Sequence, residues 1–148
     1  MKSITIRLCQ KEDLPAVLAL QRQWVKEDVT YGLVEAKPEE LRTCLGPYFL
    51  VADRNGSIVG FIIGSEGRSD GVAVIPKGER YVEIGDLYVV PALRGQGVGR
   101  KLIEKLEETV RSDGIERLLI YSASKDVDRI LKFYRSCGFR SWFVQMYK

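Results

Sequence analysis

The residues best suited to chemistry are a run of glycines between two arginines, Arg94-Gly95-Gln96-Gly97-Val98-Gly99-Arg100. An apolar stretch ending at Pro91 precedes it and an amphipathic stretch beginning at Val98 follows it, so it reads as a turn from strand into helix. The first N–H groups of a helix have no internal partner, and the helix dipole favours an anion beside them. Glycine at 95, 97 and 99 clears side chains from the path of a pyrophosphate, and Arg94 and Arg100 add charge. A ligand-free connection would carry the same glycines, so the choice rests on other letters. A dinucleotide fingerprint needs a further glycine where Arg100 stands and an acidic residue where Leu118-Leu119-Ile120 stands. A Walker loop closes on Gly-Lys-Ser/Thr, whereas Gly99 is followed by Arg100-Lys101-Leu102.

The chain holds no histidine, which moves acid–base chemistry near neutral pH to carboxylates, tyrosine, lysine or cysteine. Cys9, Cys44 and Cys137 are widely spaced; they form neither a zinc pattern nor a Cys–His pair, and read as reduced thiols in a cytoplasmic protein. No metal is expected. The net charge of +3 is small and the basic residues are dispersed, which argues against a nucleic-acid surface. No apolar run approaches the roughly 20 residues of a membrane span, and Met1-Lys2-Ser3-Ile4-Thr5 lacks a secretion pattern. A length of 148 residues, 45% hydrophobic and 29% charged, suits one globular domain.

The elements that must position the turn follow from periodicity. Residues 3–8 alternate as a strand, and a helix follows in which Leu14, Val17, Leu18, Gln21, Trp24 and Val25 share a face. Residues 26–37 read as a loop and 39–45 as a short helix opened by Pro38. Strands at 48–53 and 57–65 meet at Asn55-Gly56, a strong hairpin signal. Residues 66–80 read as a mobile loop, in which Val72-Ala73-Val74-Ile75 either extends a strand or touches a ligand. A strand at 81–90, a helix at 98–111, a strand at 118–121, a helix from Asp126 or Asp128 to Cys137 and a last strand at 139–147 complete the chain. The antiparallel hairpin and the strand–helix–strand unit after it predict one α/β domain with a mixed sheet.

Set in that order, the run resembles the coenzyme motif of the GNAT superfamily, the histone-acetyltransferase-related N-acetyltransferases. That motif, Arg/Gln-x-x-Gly-x-Gly/Ala, is met by Arg94, Gly97 and Gly99. Asp86-Leu87-Tyr88-Val89-Val90-Pro91 is similar to the family's central strand. Phe133-Tyr134-Arg135-Ser136-Cys137-Gly138-Phe139 is similar to its Phe-Tyr-x-x-x-Gly-Phe segment. The element order agrees along nearly the whole chain. The resemblance therefore implies one N-acetyltransferase domain over residues 1–148, with a mixed, mostly antiparallel sheet flanked by helices.

The resemblance also implies acetyl-CoA as co-substrate, a primary amine as acceptor and direct attack in a ternary complex. Leu87, Tyr88 and Val89 would offer backbone groups to the pantetheine arm. Arg94, Gly95, Gln96, Gly97, Val98, Gly99 and Arg100 would form the pyrophosphate site. Gly85 falls at the family's β-bulge, where an N–H can polarise the thioester carbonyl. Glu83 aligns with the general base of the histone-acetylating branch; Asp86 is the alternative, because a bulge at Gly85 turns either side chain toward the cleft. Tyr134 matches the general acid. Two departures stand out. Val127 replaces an asparagine that contacts the coenzyme in many members, leaving Asp126, Asp128 or Ser124 to substitute. One strand follows the last helix where many members have two, so a second subunit, in a homodimer, is a way to complete the sheet edge. The acceptor is a small-molecule amine or a peptide or protein amine. Glu27, Asp28, Glu35, Glu39 and Glu40 suit a cationic acceptor, and a solvated acidic surface explains them equally well. The rival reading is a non-catalytic acyl-CoA-binding sensor or scaffold.

Overall fold

The computed structural model describes residues 3–148. Its elements are β1 Thr5–Leu8, α1 Leu14–Glu27, α2 Pro38–Thr43, β2 Phe49–Arg54, β3 Ser57–Arg68, β4 Arg80–Val89, α3 Val98–Ser112, β5 Arg117–Ile120 and α4 Val127–Ser136. The five strands lie in sequence order in one sheet. The first three pairings are antiparallel and the last, β4 with β5, is parallel. The expected single-domain α/β fold, with a mixed and mostly antiparallel sheet, is what forms.

Local rules account for most of the boundaries. Asn55 and Gly56 adopt φ of 53° and 88°, as a tight hairpin between β2 and β3 requires. In α1 the buried Val17, Leu20 and Gln21 face the sheet. Gln21 is polar but satisfied: its amide donates to the Val34 carbonyl at 2.7 Å and accepts from the Ala36 N–H at 2.9 Å. One side chain thus pins the long loop between α1 and α2.

The sheet has a core on each face. Leu50, Ile62, Val82, Ile84, Leu102 and Leu106 pack under α3, while Val17, Leu41, Phe49, Phe61, Ile63 and Tyr88 pack under α1 and α2. The alternation along β4 breaks at Gly85. Ile84 pairs with Gly64 and Asp86 with Ile63, which leaves Gly85 over as a β-bulge. The extra residue flips the parity of the strand, so Asp86 and Tyr88 join Glu83 on the α1/α2 face instead of following Val82 and Ile84 onto the other.

Two sequence expectations are corrected. Residues 139–147 form no strand. Their pattern has the propensity, but a strand needs a paired backbone, and the neighbouring edge element, β5, is only 4 residues long. Residues 66–80 are not a loose loop. β3 extends to Arg68 and β4 starts at Arg80. Between them the buried Ser69 hydroxyl donates to the Ile75 carbonyl at 2.9 Å and accepts from the Gly71 and Val72 N–H groups at 3.1 Å. Val72 to Ile75 therefore make a turn that buries Ile75, not a strand extension.

Candidate functional site

β4 and β5 pair only over residues 81–84 and 117–120. Beyond the bulge β4 continues to Val89, whereas the chain after Ile120 swings toward the end of α1, where Thr30 bridges Ser124. There the Tyr31 N–H donates to the Ala123 carbonyl at 2.8 Å and the Lys125 N–H to the Val29 carbonyl at 2.9 Å. The two strands consequently splay, leaving a wedge along residues 85–89. Alternate residues of an antiparallel strand face its partner. The Val90 N–H donates to the Val59 carbonyl at 3.0 Å, so Tyr88 and Val90 turn their backbone to β3, and Leu87 and Val89 turn theirs to the wedge. Of the three residues expected along the wedge, Tyr88 alone faces away, with its ring buried.

The glycine turn stands at the wide end of this wedge. Gly95 and Gly97 hold φ of 75° and 88°, and an added Cβ at either would meet nothing within 4 Å. Their glycine character answers to backbone conformation, not crowding. Gly99 differs: an added Cβ would lie 3.2 Å from Phe133 Cζ, so this glycine lets α4 close on the start of α3. No side chain caps α3, and the N–H groups of Val98, Gly99 and Arg100 begin the helix without intrahelical acceptors. The Val98 side chain is buried and that of Gln96 donates back to the Ala92 carbonyl at 3.2 Å. What remains at the turn is a cluster of backbone N–H groups open to solvent, which fits a pyrophosphate.

Both arginines are already bonded within the protein. The Arg100 guanidinium donates to the Ser136 carbonyl and hydroxyl at 3.0 and 2.7 Å. The Arg94 guanidinium grips both oxygens of Glu27 at 2.8 and 3.0 Å, and its Nε donates to the Val89 carbonyl at 2.8 Å. Glu27 also accepts from the Tyr88 hydroxyl, and Arg94 lies 5.2 Å from the Tyr88 ring centroid. Burial and the Glu27 carboxylate hold the Tyr88 phenol above its ordinary value. Sequence reading missed this role of Glu27, because its partner lies 67 residues away.

Glu83 and Asp86 share the α1/α2 face of β4, on either side of the bulge. Asp86 is half-buried, and burial raises its carboxyl above the usual range. Tyr134, on α4, packs between Phe133 and Phe139 at centroid distances of 5.5 and 6.1 Å. Burial, with a smaller contribution from Cys137, pushes its phenol up to about 12. No buried side-chain polar atom lacks a partner among the described residues, so the unpaired Asp86 carboxylate and Tyr134 hydroxyl both reach solvent. Two of the three expected substitutes for the missing asparagine are otherwise engaged: Asp126 caps α4 by accepting from the Arg129 N–H at 3.3 Å, and the Ser124 hydroxyl accepts from the Asp126 N–H at 3.1 Å; Asp128, in the first turn of α4, stays exposed. The acidic group near α1 is largely committed as well. Glu27 pairs with Arg94, Asp28 with Lys125 at 2.9 Å, Glu35 with Arg22 at 3.8 Å, and Glu40 accepts from the Lys37 N–H at 3.2 Å. Three of the five carboxylates in that group sit beside a cation, which weakens the argument they made for a cationic acceptor.

A mixed sheet splayed at a bulge, with a glycine turn feeding a helix at its mouth, defines the acyltransferase class that the motifs resembled. The chain belongs to the Acetyltransferase (GNAT) family, whose sequence profile matches residues 16–139. It is similar to the IAA acetyltransferase of Azospirillum brasilense, 34% identical over 91 residues that cover 62% of this chain and 53% of that protein. The chain thus spans about half the length of that relative. A thialysine N-epsilon-acetyltransferase of Mus musculus is 29% identical over 150 residues, covering 90% of this chain and 84% of its own. An aminoglycoside acetyltransferase from an uncultured soil metagenomic sample has a TM-score of 0.72 at 26% identity, covering 98% of this chain and 95% of that one.

Proposed function

We propose that the protein transfers an acetyl group from acetyl-CoA to a primary amine of a small molecule by direct attack in a ternary complex. The observation that carries this reading is the continuity of wedge, bulge and turn: open backbone donors run from β4 to the start of α3, with two carboxylates on the adjoining face. Names of relatives support the acceptor class, since they include enzymes acting on thialysine and on aminoglycosides.

The coenzyme supplies an activated thioester carbonyl; the chain's own groups do the rest. Leu87 and Val89 donate N–H groups to the pantetheine arm, and the N–H groups of residues 95–100 hold the pyrophosphate. The bulge at Gly85 frees a strand N–H to polarise the carbonyl. Asp86 takes one proton from the acceptor ammonium, and its second N–H proton ends on the departing sulfur. Asp86 is taken as the base because its half-buried carboxylate is unpaired and burial raises it above its ordinary value, which strengthens it as a proton acceptor. Tyr134 stabilises the leaving sulfur by donating a hydrogen bond to it. With its phenol at about 12 and a thiol near about 8.5, full proton transfer would run uphill by about 5 kcal/mol.

The deciding measurement is thiol release from acetyl-CoA across a panel of lysine-like, amino-sugar and aminoglycoside amines, paired with CoA binding by calorimetry. Amine-dependent release that Asp86→Asn abolishes supports the reading. CoA binding with no transfer to any amine would leave the protein a binder and sink the enzymatic reading.

A further inference from the structure

The segment from Glu27 to Tyr31 touches both arms of the splayed sheet. On the β4 side, Glu27 receives two bonds from Arg94 and one from Tyr88. Its side chain is only 18% exposed, against 35% for that of Arg94. On the β5 side, four residues further on, Tyr31 and Val29 exchange backbone hydrogen bonds with Ala123 and Lys125 at 2.8 and 2.9 Å. Lys125 adds an ion pair to Asp28 at 2.9 Å and lies 5.4 Å from the Tyr31 ring centroid. Asp28 sits at φ 54°, the left-handed turn that lets the chain leave α1 and cross the gap. Trp24, one turn back on α1, stacks on Tyr88 at 5.4 Å and keeps the helix end seated.

We propose that residues 27–31 form a strap across the mouth of the wedge and that Glu27 is its positioning residue. Glu27 acts through Arg94: it draws the residue before the glycine turn toward α1, while the other end of the strap fixes the β5 arm. The width of the wedge, and the direction in which the turn presents its N–H groups, are thereby set before any ligand arrives. The role is distinct from that of a charge on the substrate, because the Glu27 carboxylate is neutralised by Arg94. It rests on the acetyl-CoA reading for its ligand but not for its geometry.

The test uses Glu27→Ala, with Glu27→Gln as a gentler variant in case the first fails to fold. In the ligand-free protein, amide exchange at Tyr31 and Lys125 is expected to accelerate about tenfold or more in Glu27→Ala, although neither amide touches Glu27. CoA Kd by calorimetry is expected to rise about tenfold, with Glu27→Gln between it and the wild type and the acceptor KM within about twofold. Arg94→Ala in the Glu27→Ala background is expected to add little more, since the two act as one unit. Unchanged exchange at Tyr31 and Lys125 overturns the strap. A lowered Tm with CoA Kd unchanged reduces Glu27 to a structural ion pair and overturns its positioning role. Wild-type protein that binds no CoA overturns the coenzyme reading instead, and the exchange rates then judge the strap alone.

Discussion

At the residue scale, burial has opposite consequences for stability and for chemistry at Asp86. Burial raises its folded pKa above the unfolded value. Its stabilising contribution is therefore complete below the unfolded value, near about 3.9, and is lost as pH rises through the folded one. Asp86→Asn is expected to raise Tm at pH 7 while lowering acetyl transfer about 100-fold or more. Thermal melts and initial rates on one preparation check this, and a variant that loses both stability and activity would count against it. Tyr134, with its phenol at about 12, stays protonated, so the pH profile of kcat should show no descending limb below about pH 11. Tyr134→Phe is expected to lower kcat about tenfold or more with the KM for acetyl-CoA nearly unchanged. The letters could nominate Glu83 and Tyr134, because the first is placed by its distance from Arg94 and the second by the Phe-Tyr-x-x-x-Gly-Phe segment. The partner of Glu27 was not, because an ion pair across 67 residues leaves no periodic signal.

Two glycines at the element scale separate backbone need from ligand space. Gly97 precedes α3 at φ 88°, a conformation that costs an L-residue about 1–2 kcal/mol. Gly97→Ala should lower stability by that amount in denaturant titrations and weaken CoA binding together with it. Gly85 is not among the positive-φ glycines, and an added Cβ there meets nothing. Gly85→Ala should leave stability within about 0.5 kcal/mol yet raise the KM for acetyl-CoA, because the methyl group adds bulk at the bulge beside the wedge. Equal losses in both variants would mean that the wedge is not the coenzyme path. Up to α4, helix and strand extents follow the letters to within a few residues, since periodicity and turn chemistry act locally. The bulge at Gly85 was placed by the family resemblance and a glycine in a strand, and the register of β3 against β4 bears it out; periodicity alone does not give it, because a bulge is a relation between two strands.

For the whole molecule, the tail after α4 is the largest departure from expectation. Trp142, Phe143, Val144, Met146 and Tyr147 are exposed by 46, 64, 71, 87 and 85%, and beyond Phe139, which packs on Tyr134, the tail touches the rest of the protein through Tyr147 against Tyr31. Ending the chain after Arg140 should therefore shift Tm by no more than about 2 °C; calorimetry showing a larger drop would mean that the tail is paired in solution. The sequence alone determined the family, the element order as far as α4 and the glycine turn, since each depends on residues close together along the chain. Only the tertiary structure decided which strand residues face the wedge, that Asp86 and Glu83 share a face, and that Arg94 and Arg100 are already bonded. Those outcomes depend on register, on one extra residue at Gly85 and on partners brought together from distant segments, and no local pattern in the letters encodes them.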